Sequence, residues 1–384
     1  MVYLDNAATS YPKPESVYRA VDSFLRSSGN PGRGGHALAR RAEEAVEAVR
    51  LRVARFFHLP SPERVIFTLN ATDALNMAIK GYLRPGDHVI TTCLEHNSVA
   101  RPLQSLSERG VHFTRIGCDQ HGLLDVEALE KAITPATRLV VLTWASNVVG
   151  TLQPVAEVAR ICRRHGVRLL VDAAQAAGHI PIDVQAVGVD MLAASGHKGL
   201  MGPPGTGLLL LGPDVDLAPF REGGTGVASH LATQPHFYPQ RLESGTPNTA
   251  GIVGLGAGLE FLTEVGVDRV AEHEAQLIEA LWEDLASVPS VVLYGPPGSR
   301  GRAALLSFNV EGWDPVEVAA VLDQSFGIAC RAGLHCAPWA HQALGTFPTG
   351  TVRFSVGYFN TMQDVEQAVR AVKALAASGR RGGP

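Results

Sequence analysis

Across residues 64–212 the chain repeats one pattern: a short apolar run, a longer amphipathic stretch, then another apolar run. The runs are VIFT from Val65, HVITT from His88, HFTRI from His112, LVVLTW from Leu139, RLLVD from Arg168, MLAAS from Met191 and GLLLLG from Gly207. Their apolar character is continuous rather than alternating, which is how strands covered on both faces read. The stretches between them, 73–83, 98–109, 125–133 and 154–165, carry helical spacing. Strands separated by helices predict an α/β fold built on a mainly parallel sheet with helices on both faces.

Beyond Pro247 the texture changes. A long helical stretch over 251–287, broken near Gly266, leads into the candidate strands VVLYG, ALLSFNV, IACRAG and TVRFSVG and into helices over 315–324 and 361–376. Helices over 14–25 and 37–57 precede the first strand of the large sheet. These divisions predict a large domain over 15–250, a smaller α+β domain made of 1–14 and 251–376, and a disordered tail over 377–384.

A length of 384 residues with 46% hydrophobic and 18% charged side chains is that of a folded globular chain, not a disordered one. A formal charge of −4 leaves no basic excess to hold a phosphate backbone, so no nucleic-acid partner is expected. No apolar run approaches the length of about 18 residues that a membrane span needs, and the start MVYLDNAATS lacks the pattern of a secretory signal. A cytoplasmic location without membrane attachment is the expectation. The five cysteines, Cys93, Cys118, Cys162, Cys330 and Cys336, show no CxxC spacing, which argues against a disulfide framework or a cysteine-rich zinc site. Only five of the 33 basic residues are lysines.

Ligands of open α/β sheets sit at the carboxyl ends of strands. After VIFT, Asn70, Ala71 and Thr72 lead into a helix whose free N–H groups and positive end suit a phosphate. After HVITT comes His96, and after LVVLTW comes Asn147; alone, each reads as an ordinary loop residue. RLLVD ends on Asp172, with Gln175 just beyond, and a carboxylate at the end of an apolar strand requires a cation or donor. After MLAAS come Ser195, His197 and Lys198 in a glycine-rich turn. The other lysines, Lys13, Lys80, Lys131 and Lys373, fall in a loop or on polar helix faces, so Lys198 stands apart. The GPPGTG segment from Gly202 is not a nucleotide P-loop, because leucines follow where Lys and Ser/Thr are needed and it precedes a strand.

An Asp and a Lys at strand ends with a phosphate cup upstream are the parts that pyridoxal phosphate requires. The Lys holds the aldehyde and the Asp keeps the pyridine nitrogen protonated. At this point the chain resembles the class V, fold-type I pyridoxal-phosphate enzymes, and within them the group II, Suf-like cysteine desulfurases. The resemblance runs nearly the whole length: YLDNAAT, NATDALN, EHNS, SNVVGT, VDAAQAAGH, ASGHKGLMGPPGTG, ESGTPN, RAGLHCAP and RFSVGYFNT. It implies a seven-stranded sheet, a small domain from both chain ends, and a homodimer. It assigns Lys198 to the aldehyde, Asp172 to the pyridine nitrogen, and Gln175 and Asn147 to the neighbourhood of the ring hydroxyl. His96 would stack on the ring and move protons. Thr72, Ser195 and His197 would bind the phosphate, joined by Thr246 of the other subunit, with Ala71 standing where relatives carry a hydroxyl. Arg353, with Asn147, would hold the substrate carboxylate.

Cys336 would be the nucleophile that takes sulfur from L-cysteine, leaving alanine and a persulfide to pass to an acceptor protein. Only a thiolate attacks, so the site must supply a proton acceptor or positive surroundings, for which His335 is the neighbouring candidate. Cys93, Cys162 and Cys330 read as small buried hydrophobes and Cys118 as a loop residue. Asn97 stands where a second His is common, and Arg33 and His36 of NPGRGGH resemble an entrance segment. L-selenocysteine would be served by the same residues. A class V aminotransferase would make no use of Cys336, and a catalytically silent sulfur-transfer scaffold is the remaining alternative.

Overall fold

The structure is a computed structural model and describes residues 1–32 and 35–379. Arg33 and residues 380–384 of the tail lie outside the described residues.

All seven apolar runs of the first half form strands of a single sheet. From one edge the order is Val65–Thr68, Gly207–Leu211, Met191–Ser195, Arg168–Asp172, Thr137–Thr143, His88–Thr92 and His112–Ile116. Every pairing is parallel except the two made by Gly207–Leu211. That strand follows Met191–Ser195 through a loop with no helix, too short a connection for the crossover that a parallel neighbour needs.

Alternate residues of each strand feed two cores on opposite faces. Phe67, Ile90, Val140, Leu142, Val171 and Leu192 share one core with the helices Ala37–Phe56, Val155–His165 and Thr249–Val265. Ile66, Val89, Leu139, Val141, Leu170 and Met191 share the other with Ala71–Tyr82 and Asn97–Ser107. Covering on both faces is why these runs carry no polar alternation. The exception is His112–Ile116, read from its sequence as doubly covered: it lies at one edge of the sheet, and only Ile116 of its five residues is buried.

A third core gathers Val2 and Leu4 with Leu277, Leu281, Phe308, Phe354, Val369 and Val372. It lies around a four-stranded antiparallel sheet in the order Arg331–Gly333, Thr351–Ser355, Leu305–Val310, Val291–Tyr294. One expectation changes here. IACRAG is not one strand: Ile328–Ala329 pairs with Val2–Tyr3 in a two-stranded parallel sheet, whereas Arg331–Gly333 pairs with Thr351–Ser355. The helix Thr249–Val265 buries Ile252, Leu255, Leu259 and Leu262 in the first core, which also takes Val270 of the following helix. Among the described residues no single helix is long and apolar enough to cross a membrane.

Candidate active site

The carboxyl ends of the central strands open into a cavity of about 250 Å³. Ala71, Thr72, His96, Asn147, Asp172, Gln175, Ser195, His197 and Lys198 all line it. Nine residues spread over 128 positions of sequence thus meet because each ends or follows a strand of one sheet.

One end of the cavity is built for an anion. The helix Ala71–Tyr82 begins there, with the Asn70 side chain accepting from the Asp73 amide at 2.9 Å. The Asp73 carboxylate accepts from the Leu69 amide and pairs with Arg221 at 2.8 Å, which offsets its charge near the helix start. Ala71 is buried and its amide donates to Ser195 Oγ at 3.3 Å. His197 is held neutral, down to about 4, by burial and then by the charges of Lys198 and Lys13, and its buried Nδ1 has no partner.

The other end carries a carboxyl and an amine. Asp172 is buried and accepts from the Ala174 amide at 2.9 Å. Burial pushes its affinity for a proton up, against that hydrogen bond and the charge of Lys198. Burial draws Lys198 down to about 8, opposed by Asp172 and helped by Arg353 and Arg331. An amine that is partly free near neutral pH can attack an aldehyde. His96 caps the helix Asn97–Ser107 and accepts from the Ser98 amide through Nδ1 at 3.1 Å, which puts its ring proton on Nε2. Burial, then Lys198, hold it neutral, down to about 4.

Three expected residues do not line this cavity. Arg353 is fully buried beside it, donating to the Asn147 carbonyl at 2.9 Å and to Asp5 Oδ1 at 3.1 Å, with Nε unpartnered. Cys336 is exposed on a loop whose His335 and Cys336 both have positive φ, 46° and 58°. The loop is tied back to the site by the Asn97 amide, which donates to the Cys336 carbonyl at 2.8 Å, and by Asn147 Nδ2, which donates to the His335 carbonyl at 2.7 Å. Thr246 lines a separate groove with Arg50 and Glu243.

The group beside the Cys336 sulfur is not His335 but Arg331, whose Nη2 lies 3.6 Å from Sγ. His335 is buried, its Nε2 faces Thr351, and burial with Arg353 and His341 depresses it to about 2. That guanidinium belongs to the same RAGLHCAP motif, five positions earlier, and the sequence reading passed over it. Asp5, of YLDNAAT, was overlooked in the same way. So was Glu95 of EHNS, which is fully buried and takes both Thr92 Oγ1 and the Thr143 amide on one oxygen. Lys13 is no bland loop residue: its ammonium, drawn down to about 8 by burial, donates at 2.7 Å to the His197 carbonyl and to Ser10 Oγ. Ser10 Oγ in turn donates to the Lys198 carbonyl at 2.9 Å, so the N-terminal segment straps the back of the Lys198 turn. Cys93 and Cys162 are buried as expected, while Cys330 is half-buried against the third core.

The donor set suits pyridoxal phosphate: an anion cup, an amine, and a buried carboxyl that lacks a full cationic partner. The aminotransferase class-V family model matches residues 2–368. A relative from Methanothermobacter thermautotrophicus named "probable cysteine desulfurase" is 37% identical over 98% of this chain and 95% of its own. A cysteine desulfurase from an Enterobacter strain is 36% identical over 98% and 93%. The solved structure of a cysteine desulfurase from Thermococcus onnurineus superposes with a TM-score of 0.92 at 35% identity, covering 98% of this chain and 95% of that one.

Proposed function

Because this chain belongs to the aminotransferase class-V family, we propose that it is a cysteine desulfurase that uses pyridoxal phosphate and L-cysteine. The observation that carries the desulfurase reading is the Cys336 thiol, exposed on a loop bonded to both Asn97 and Asn147, with the Arg331 guanidinium beside it. An aminotransferase has no use for such a thiol. The sulfur of L-cysteine passes to Cys336 as a persulfide, L-alanine leaves, and an acceptor protein takes the sulfur onward.

When bound, pyridoxal phosphate acts as the electron sink for bonds at the substrate's Cα and Cβ. Lys198 would hold its aldehyde, and the buried Asp172 would keep a proton at its pyridine nitrogen. The helix start at Ala71 and Thr72, with Ser195 and His197, binds the phosphate; Thr246 joins them from the second subunit of a homodimer. Asn147 and Gln175 bond near the ring hydroxyl. His96, neutral with its proton on Nε2, moves protons at the substrate. Arg353 has N–H groups left beyond Asn147 and Asp5 with which to orient the substrate carboxylate. Arg331 Nη2 stands beside the Cys336 sulfur, where it would meet negative charge on the transferred sulfur.

The test combines two variants. The purified protein is expected to show the yellow absorbance of lysine-bound pyridoxal phosphate, and Lys198→Ala to lose it. Cys336→Ala is expected to keep the colour and to lose at least a hundredfold in alanine formation from L-cysteine. Unchanged alanine and sulfide production by Cys336→Ala sinks the persulfide route, and a side-by-side assay with L-selenocysteine separates the selenium reading.

A further inference from the structure

Two cysteines outside this chemistry meet where two parallel strands leave the sheet. Cys93 follows His88–Thr92 and Cys118 follows His112–Ile116, and the ladder between these strands continues as the Cys93 amide donates to the Ile116 carbonyl at 2.8 Å. Each thiol is the other's main electrostatic partner, and both lie at the same apolar cluster. Cys93 is buried, while Cys118 is part-exposed. The contact draws the Cys118 thiol down and, with burial, pushes Cys93 up, so the accessible sulfur is the more acidic one.

The pair sits between both halves of the active site. Cys93 and Leu94 belong to one apolar cluster with Val148, Val149, Ala337 and Ala340, and Cys118 packs against it. Val148 follows Asn147, and Ala337 follows Cys336. From the strand that leads to Cys118, Phe113 stacks on Trp339 at 6.0 Å and Arg115 lies over the same ring at 4.9 Å. On the other side, Cys93 opens the turn that carries Glu95 and His96.

We propose that Cys93 and Cys118 form a second, redox-active thiol site that closes to an intramolecular disulfide by exchange with a low-molecular-weight disulfide and shifts the His96 turn when it does. The Cys118 thiolate attacks one sulfur of the disulfide and releases one thiol. The Cys93 thiol then attacks Cys118 Sγ, loses its proton and releases the second thiol. Two protein thiols are oxidised and one small disulfide is reduced to two thiols. The two sulfurs must approach to about 2.05 Å, and that movement pulls the His96 turn and the strand His112–Ile116 together.

The experiment uses Cys336→Ser holoenzyme, which removes the exposed competing thiol, incubated with glutathione disulfide. Trypsin separates the two cysteines, because Arg84 and Arg101 precede proline and the first cut after Cys93 falls at Arg109. A non-reducing digest is expected to link the Cys93 peptide to the Cys118 peptide with the loss of two hydrogens, reversibly with dithiothreitol. Recovery of both as free thiols, or of Cys118 only as its glutathione adduct, overturns the proposal. The oxidised protein is then mixed rapidly with L-cysteine, and the loss of the yellow absorbance is expected to run at least threefold slower than in the reduced protein, with no such slowing in Cys118→Ser/Cys336→Ser. Equal rates overturn the link to His96. This second arm rests on the desulfurase reading: a reduced protein that does not respond to L-cysteine defeats that reading and leaves the peptide result standing.

Discussion

Glu95 is the residue whose burial is hardest to account for by packing. Its side chain has no solvent exposure, both its donors converge on Oε1, and Oε2 has no partner. Burial, with Asp172 nearby, pushes its carboxyl up to about 8 from the ordinary 4.5. Near neutral pH it is a neutral acid that binds the His96 turn to the strand Thr137–Thr143. In the unfolded chain the same group ionises above its ordinary value. Between about 4.5 and 8 the folded protein therefore holds a proton that the unfolded chain does not, and stability falls as pH rises through that window. Glu95→Gln keeps an oxygen for both donors and removes the titration. Denaturation at pH 5, 7 and 9 is expected to show the variant gaining on the wild type by a few kcal/mol between the ends of the series. A constant difference across pH would mean that Glu95 is ionised in the fold.

At the scale of elements, the Lys198 turn is positioned by two glycines that interlock. A Cβ on Gly178 would stand 2.2 Å from the Gly199 carbonyl oxygen, and one on Gly199 would stand 2.4 Å from the Ala177 carbonyl oxygen and 2.7 Å from the His179 ring. Two backbone loops at the ends of neighbouring strands thus touch directly. Gly199→Ala is expected to cost roughly 1–3 kcal/mol by overpacking and, because it displaces the residue next to Lys198, to weaken the yellow absorbance. Gly35→Ala, with nothing within 4 Å, serves as the control and should leave both unchanged. An unaffected absorbance in a folded Gly199→Ala would separate the glycine contact from Lys198 placement. These contacts also mark how far a sequence can be read. The doubly covered strands were legible because burial on both faces writes continuous apolar runs, and the residues at their ends followed from that. The edge position of His112–Ile116 and the antiparallel course of Gly207–Leu211 were not, since edge and direction depend on neighbours distant in sequence. Lys13, Asp5 and Arg331 stayed hidden for the same reason: each acts on a carbonyl, guanidinium or thiol that only tertiary structure brings to it.

Across the whole molecule, the large sheet and the third core are joined where His179, from the loop behind Asp172, meets Glu274 of the helix Val267–Ala286. Nδ1 and Oε2 are 2.8 Å apart, both side chains are buried, and His179 lies against Gly199 beside Lys198. The helix Val267–Ala286 itself bridges the two cores, with Val270 in the first and Leu277, Ile278 and Leu281 in the third. Burial alone would strip the proton from His179, yet the charge and hydrogen bond of Glu274 outweigh it and raise the ring above its ordinary 6.5. A raised histidine contributes stability that is fully present below about 6.5 and is lost as pH climbs through the higher folded value. Removing one member of a buried pair leaves the other unpaired, a loss of roughly 3–5 kcal/mol. Glu274→Gln is therefore expected to be destabilised most at pH 6, with the deficit shrinking towards pH 9 as the wild-type ring loses its proton. Because the pair backs the Lys198 turn, the variant's yellow absorbance should also change its pH midpoint, which a purely structural tie at the junction would leave alone. A deficit that is the same at both pH values would show the histidine to be neutral in the fold.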